Sequence, residues 1–121
     1  MVQLSKKKLS KKLEKQIYKL FYQVIADINN PKEAEEFLKD FLTKTELEVL
    51  TKRLGAAYYL KKNQDYNLIR KNLAISSTTV AAIKNQMFKK GFQLALKKIE
   101  AEEWATRWAQ KIGKIMKFRR K

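Results

Sequence analysis

From Tyr66 to Asn85 the apolar spacing dictates two short helices meeting at a tight turn. Ile69 and Leu73 lie four apart, Val80 and Ile83 lie three apart, and Ile75 falls between the pairs. On two packed helices all five point into one small core, with Ile75 plugging the corner. Ala74 supplies a small side chain where the helix ends approach. Ser76 is placed to cap the second helix by accepting a hydrogen bond from the N–H of Thr78 or Thr79. The outer face left over, Ser77, Thr78, Ala81, Ala82, Lys84 and Asn85, is polar and slender. Such a helix fits a DNA major groove, which is about 12 Å wide. An ordinary helical hairpin has the same pattern, so charge must decide between the two.

The chain carries 28 Lys and Arg against 12 Asp and Glu, net +16 over 121 residues. A small domain needs a net charge of only about 2–8 for solubility, so the excess points to a polyanionic partner. The charge is unevenly spread. Six of the twelve acids (Glu33, Glu35, Glu36, Asp40, Glu46, Glu48) fall within sixteen residues, six lysines lie in residues 6–15, and six basic residues lie in 111–121. The acidic stretch is unsuited to face DNA, whereas the hairpin and both basic segments suit it.

Absent residue types narrow the chemistry. With no cysteine and no histidine, the chain has no disulfide, zinc finger, thiol nucleophile or Ser-His-Asp triad. Gly55, Gly91 and Gly113 are too far apart to form a phosphate-cradling loop. The pairs Glu33/Glu36 and Glu100/Glu103 have no apolar pocket to raise a pKa. No enzyme activity, cofactor or metal is expected. No apolar run approaches the roughly 18 residues of a membrane span, and the basic N-terminus lacks the apolar stretch of a signal peptide. The expected location is cytoplasmic, with the nucleoid.

The fold class is all-α. Leu9, Leu13, Ile17, Leu20, Val24 and Ile28 step by threes and fours into one continuous apolar stripe, widened by Phe21. A stripe of that length suits packing against a partner subunit. Asn29-Asn30-Pro31 ends this helix, and Pro31 begins a second that buries Phe37, Leu38 and Phe41. Thr43 and Glu46 form a capping box for a third helix, which runs to about Lys62 through Leu47, Leu50, Leu54, Ala57 and Tyr58. Asp65 caps the first hairpin helix, and Gly91 separates the second from a last helix. Residues 1–12 read as a basic arm, disordered without DNA. Residues 13–92 read as the dimerisation and helix-turn-helix domain, and 93–121 as a basic amphipathic helix.

Over about residues 37–92 the chain resembles the tryptophan repressor and its repressor-like relatives. The resemblance rests on Phe41-Leu42-Thr43-x-x-Glu46-x-Glu48-x-Leu50-x-x-Arg53, the hairpin at 66–85 and the spacing between the two blocks. It implies an intertwined homodimer in which each subunit offers a helix-turn-helix to successive major grooves of double-stranded DNA. In that family the indole of the corepressor lies between two arginines, beside a glycine. Arg53 matches the first arginine, and Thr43 and Thr79 match two polar neighbours, so these three are the candidate ligand residues. Arg53 reads more readily as a helix arginine paired with Glu48 or Glu46 than as a ligand contact. The second arginine falls at Ala82, the glycine at Ile83 and a nearby serine at Gln86. Ala82 cannot stack on an indole and Ile83 fills its space, so control by tryptophan is not expected.

The expected function is therefore sequence-specific transcriptional regulation by a helix-turn-helix at 66–88. Ser76, Ser77 and the neighbouring N–H groups would hold a phosphate. Thr78, Thr79, Ala81, Lys84 and Asn85 would face bases, Lys84 suiting guanine and Asn85 adenine. Arg70, Lys71, Lys89 and Lys90 would grip the backbone. One alternative is a general nucleoid or RNA-binding protein acting through charge. Another is a membrane-surface or scaffold protein using the tail, where Trp104, Trp108, Ile112 and Ile115 form a stripe flanked by cations. The tail reads more readily as a helix docked on the protein by its Trp face, its lysines solvated or touching phosphate.

Overall fold

The computed structural model describes residues 10–119, with side chains for 10–107 and Gln110. The first nine residues of the basic arm, Leu9 of the stripe, and the side chains of Trp108 and 111–121 lie outside the described residues. Among the described residues there are six helices and no strand: α1 (Lys11–Asp27), α2 (Pro31–Phe41), α3 (Lys44–Lys61), α4 (Tyr66–Leu73), α5 (Ser77–Gln86) and α6 (Lys90–Arg119). The chain divides into two compact units, Met1–Glu48 and Val49–Lys121.

In the first unit the helix boundaries follow local hydrogen bonding. Ser10 caps α1 by accepting from the Leu13 N–H at 3.2 Å, so helix begins within the last residues of the basic arm. Asn30 caps α2 by accepting from the Glu33 N–H at 2.8 Å. Pro31 follows at the first helical position, where its missing N–H costs nothing. Phe21, Phe37 and Phe41 stack together, with ring centroids 4.7–6.4 Å apart. Phe41 nevertheless stays 64% exposed; the two other rings cover only part of it, which corrects the expectation of a buried side chain. The α1 stripe is likewise uncovered: Leu13, Ile17, Leu20, Phe21 and Val24 are 39–65% exposed.

α3 opens on the expected capping box. The Thr43 N–H donates to Glu46 Oε1 at 2.8 Å, and the Glu46 N–H donates to Thr43 Oγ1 at 3.1 Å. Two otherwise orphaned N–H groups are thereby satisfied reciprocally.

The core of the second unit consists of Ala56, Ala57, Ile69, Val80, Ile83, Met87 and Leu96. Leu73, Ile75, Tyr66, Phe92 and Ile99 pack half-buried against it. On α3 the buried face is thus the alanine pair, and Leu50 and Leu54 stay exposed. Small residues bring α3 close to the hairpin: Leu73 carbons lie 3.6 Å from where a Cβ on Gly55 would sit. Two further expectations are corrected. Asp65 occupies the cap position of α4 but its side chain makes no capping hydrogen bond. Its backbone carbonyl takes the Ile69 N–H at 3.0 Å. Gly91 is not the break between the last two helices, because α6 already begins at Lys90. The break lies at Met87–Lys89, where the Lys89 N–H reaches the Gln86 carbonyl at 3.0 Å. The Gln93 amide also donates to the Met87 carbonyl at 2.7 Å.

Candidate nucleic-acid interface

α4 and α5 pack on each other through Ile69, Val80 and Ile83, the pairs whose spacing called for the hairpin. The turn between them is Ala74-Ile75-Ser76. Ala74 adopts φ 52°, ψ 53°, a left-handed conformation that costs an L-residue roughly 1–2 kcal/mol. The turn is closed by the N–H groups of Ala74 and Ile75, both directed to the Arg70 carbonyl. Ala74 is itself exposed. The constraint on this position is therefore the backbone angle, not the crowding that the sequence suggested.

Ser76 caps α5 as expected: its Oγ accepts from the Thr79 N–H at 3.1 Å and lies 2.8 Å from Thr79 Oγ1. The cap thus engages both hydroxyls. Val80, Ile83 and Met87 face the core. At 100° per residue the opposite side of α5 carries Thr78, Ala81, Ala82 and Asn85, all exposed. Lys84 is turned aside, its Nζ 5.3 Å from the centre of the Tyr66 ring, a cation–π geometry. Arg70, Lys71, Lys89 and Lys90 are exposed around the hairpin, and Arg70 Nη1 reaches Asn67 Oδ1 at 3.5 Å. Charge follows the same division. The unit that holds the hairpin carries 18 Lys and Arg against 4 Asp and Glu.

Beside α5 lies a cleft of about 550 Å³ lined by Val49, Lys52, Arg53, Ala74, Ile75, Ser76, Thr78, Thr79, Ala82, Ile83 and Gln86. Of the three candidate ligand residues, Arg53 and Thr79 line it, while Thr43 is committed to the α3 cap. Glu46, one expected partner of Arg53, is held by the same cap. The Thr43 N–H and hydroxyl lower its carboxyl below the ordinary glutamate range. Ile83 is only 4% exposed and belongs to the core. Ala82, which the resemblance aligns with the second arginine, is exposed at the cleft and carries only a methyl group. The sequence did not single out Lys52 or Val49 as cleft residues, since neither lies in a recognisable pattern. Tyr66 as the seat of Lys84 was equally hidden, because the two are 18 positions apart.

Among the described residues no group of three or more Asp, Glu, His or Cys is placed to hold a metal. No helix among them is long and apolar enough to cross a membrane.

Two helices at a tight turn, the second capped and presenting small side chains outward, define a helix-turn-helix protein. The chain belongs to the Trp repressor family: the family profile described as Trp repressor protein matches residues 16–100. No curated protein and no solved structure matches the chain at a significant level.

Proposed function

We propose that this protein is a sequence-specific transcriptional regulator. It works as an intertwined homodimer, resides in the cytoplasm with the nucleoid, and reads double-stranded DNA with α5. The observation that carries the reading is the outward row Thr78, Ala81, Ala82 and Asn85 on a helix anchored by Val80, Ile83 and the Ser76 cap. The small side chains let α5 sit deep in the major groove. Asn85 offers a donor and an acceptor that match the edge of adenine, and Ala81 offers a methyl contact for thymine. A phosphate at the start of α5 meets the free N–H groups of Ser77 and Thr78, with the Ser77 hydroxyl beside them. Arg70, Lys71, Lys89 and Lys90 supply backbone contacts, which hold register without reading sequence. Lys84, seated on Tyr66, is a lesser base reader than its position in the sequence suggests.

The exposed α1 stripe supports the dimer. Five large apolar side chains on one helix face form the kind of surface that marks a protein–protein contact, and two copies place two reading helices about one helical turn of DNA apart. Selection from randomised duplexes tests the reading. A regulator enriches a palindrome with half-sites spaced by that distance. Enrichment of no motif leaves only a charge-driven nucleoid binder. Sedimentation equilibrium at micromolar concentration should give twice the 14.3 kDa chain mass, and a folded monomer would remove the dimer.

A further inference from the structure

α1 carries a second face besides its apolar stripe. Lys11, Lys15 and Lys19 follow at steps of four, and Tyr18 and Tyr22 repeat the same step beside them. At 100° per residue these five side chains centre about 160° from the exposed stripe of Leu13, Ile17, Leu20, Phe21 and Val24. A partner seated on the stripe therefore leaves them outward. All five are exposed, the tyrosines at 52% and 63%. The two rings have centroids 6.1 Å apart and planes inclined by 41°, so they do not stack on each other. With Glu14 at one border, the five residues line a shallow groove of about 650 Å³. Among the described residues no carboxylate pairs with these lysines.

The chemistry of this face fits an unpaired DNA strand. Lysines one helical turn apart match a line of phosphates, and exposed rings among them match bases. Duplex DNA keeps its base faces stacked inside, so it uses the lysines and leaves the rings idle. An acidic protein segment leaves them idle too. An anionic bilayer takes the opposite side of α1, because a helix enters lipid by its apolar stripe. The same face on a second copy is repelled by like charge. We propose that this face of α1 binds single-stranded DNA, stacking bases on Tyr18 and Tyr22 while Lys11, Lys15 and Lys19 hold phosphate. The binding is independent of α5. Only the choice of DNA over RNA rests on the helix-turn-helix reading, which brings the protein to DNA.

Fluorescence anisotropy of the full-length protein tests it, with a labelled oligothymidylate of about 16 nucleotides as the probe and a mixed-sequence duplex of equal length beside it. The substituted side chains are exposed, so circular dichroism of every variant should match the parent. Y18A/Y22A should weaken binding to the strand at least about tenfold and leave the duplex almost untouched. Y18F/Y22F should bind the strand like the parent, because stacking needs the ring and not the hydroxyl. K15A/K19A should flatten the salt dependence of strand binding by about 1.4 units of log–log slope. Asn85→Ala should leave strand binding unchanged, so the reading of α5 and this proposal fail separately. Equal losses in the Phe and Ala variants would make the tyrosines phosphate donors and overturn stacking. Equal losses on strand and duplex would overturn it in favour of a duplex clamp. Tighter binding of oligouridylate than of oligothymidylate would overturn the choice of DNA. Weaker binding of Y18A/Y22A than of the parent to anionic vesicles would assign the face to lipid, and a lower sedimentation mass of that variant would assign it to a second copy. Strand binding unchanged in Y18A/Y22A would overturn the proposal outright.

Discussion

Ala74→Gly should stabilise this protein. The residue holds φ 52°, ψ 53° between α4 and α5, where an L side chain costs roughly 1–2 kcal/mol relative to glycine. Glycine gives back part of that gain, because it loses more backbone freedom on folding, by about 0.4–1 kcal/mol. The methyl group removed is on an exposed residue, so no core cavity forms and no further cost arises. The net gain is about 0.5–1 kcal/mol, a rise in Tm of about 2–6 °C for a domain of this size. Thermal unfolding followed by circular dichroism measures it directly.

Ala74→Val gives the opposite sign and strengthens the test. A β-branched side chain is strongly disfavoured at positive φ, so this variant should lose at least about 1 kcal/mol. If Gly left the Tm unchanged or lowered it while Val was tolerated, the turn would not adopt a left-handed residue. The account of the hairpin corner would then fail. Neither change touches the outward row of α5, so the DNA preference of the Gly variant should match that of the parent.

Other substitutions probe the site and the caps. Asn85→Ala should cost about 1–3 kcal/mol on a selected site and almost nothing on random duplex, whereas Lys84→Ala should weaken the selected site less; the reverse order in fluorescence anisotropy would show that Lys84 leaves Tyr66 to reach a base. L-tryptophan at millimolar concentration should give no saturable heat in titration calorimetry and no change in DNA affinity, because Ala82 and Ile83 stand where the stacking arginine and the glycine are needed. The lowered carboxyl of Glu46 makes the α3 cap fully effective above the ordinary glutamate range and weakens it as pH falls through the lower native value. Glu46→Gln should therefore lose less Tm than the parent between neutral pH and pH about 3, and an equal loss would show that the cap does not contribute to the acid response.

What was legible in the sequence was local. The Thr43/Glu46 box, the Asn30-Pro31 entry and the Ser76 cap each bind an N–H three positions on, and that distance is visible in the chain. The hairpin core was legible for the same reason, since the spacing of Ile69, Val80 and Ile83 admits few arrangements. Burial on α3 was not. Ala56 and Ala57 are buried and Leu50 and Leu54 exposed because close approach of the hairpin selects small side chains, and no period in the sequence encodes that approach. Gly91 looked like punctuation, yet α6 already includes it in a regular helical turn. Of the site residues, the outward row followed from helix geometry, while the seat of Lys84 on Tyr66 required the fold.

Separation of charge from base reading has a testable consequence. The one ionisable residue on α5 is Lys84, and it is turned toward Tyr66. The side chains proposed to choose bases, Thr78, Ala81 and Asn85, are uncharged. In the proposed reading, attraction to DNA comes from residues around the helix, Arg70, Lys71, Lys89 and Lys90 among them. Each phosphate contact makes binding fall with salt by close to one unit of log–log slope, so Lys89→Ala with Lys90→Ala should flatten the slope by about two. That change should appear on selected and random duplexes alike and leave their affinity ratio intact. Asn85→Ala should do the converse, lowering the ratio at constant slope. A ratio that collapsed with the lysines would mean that the charged flank takes part in reading sequence, and the outward row of α5 would lose its sole claim to specificity.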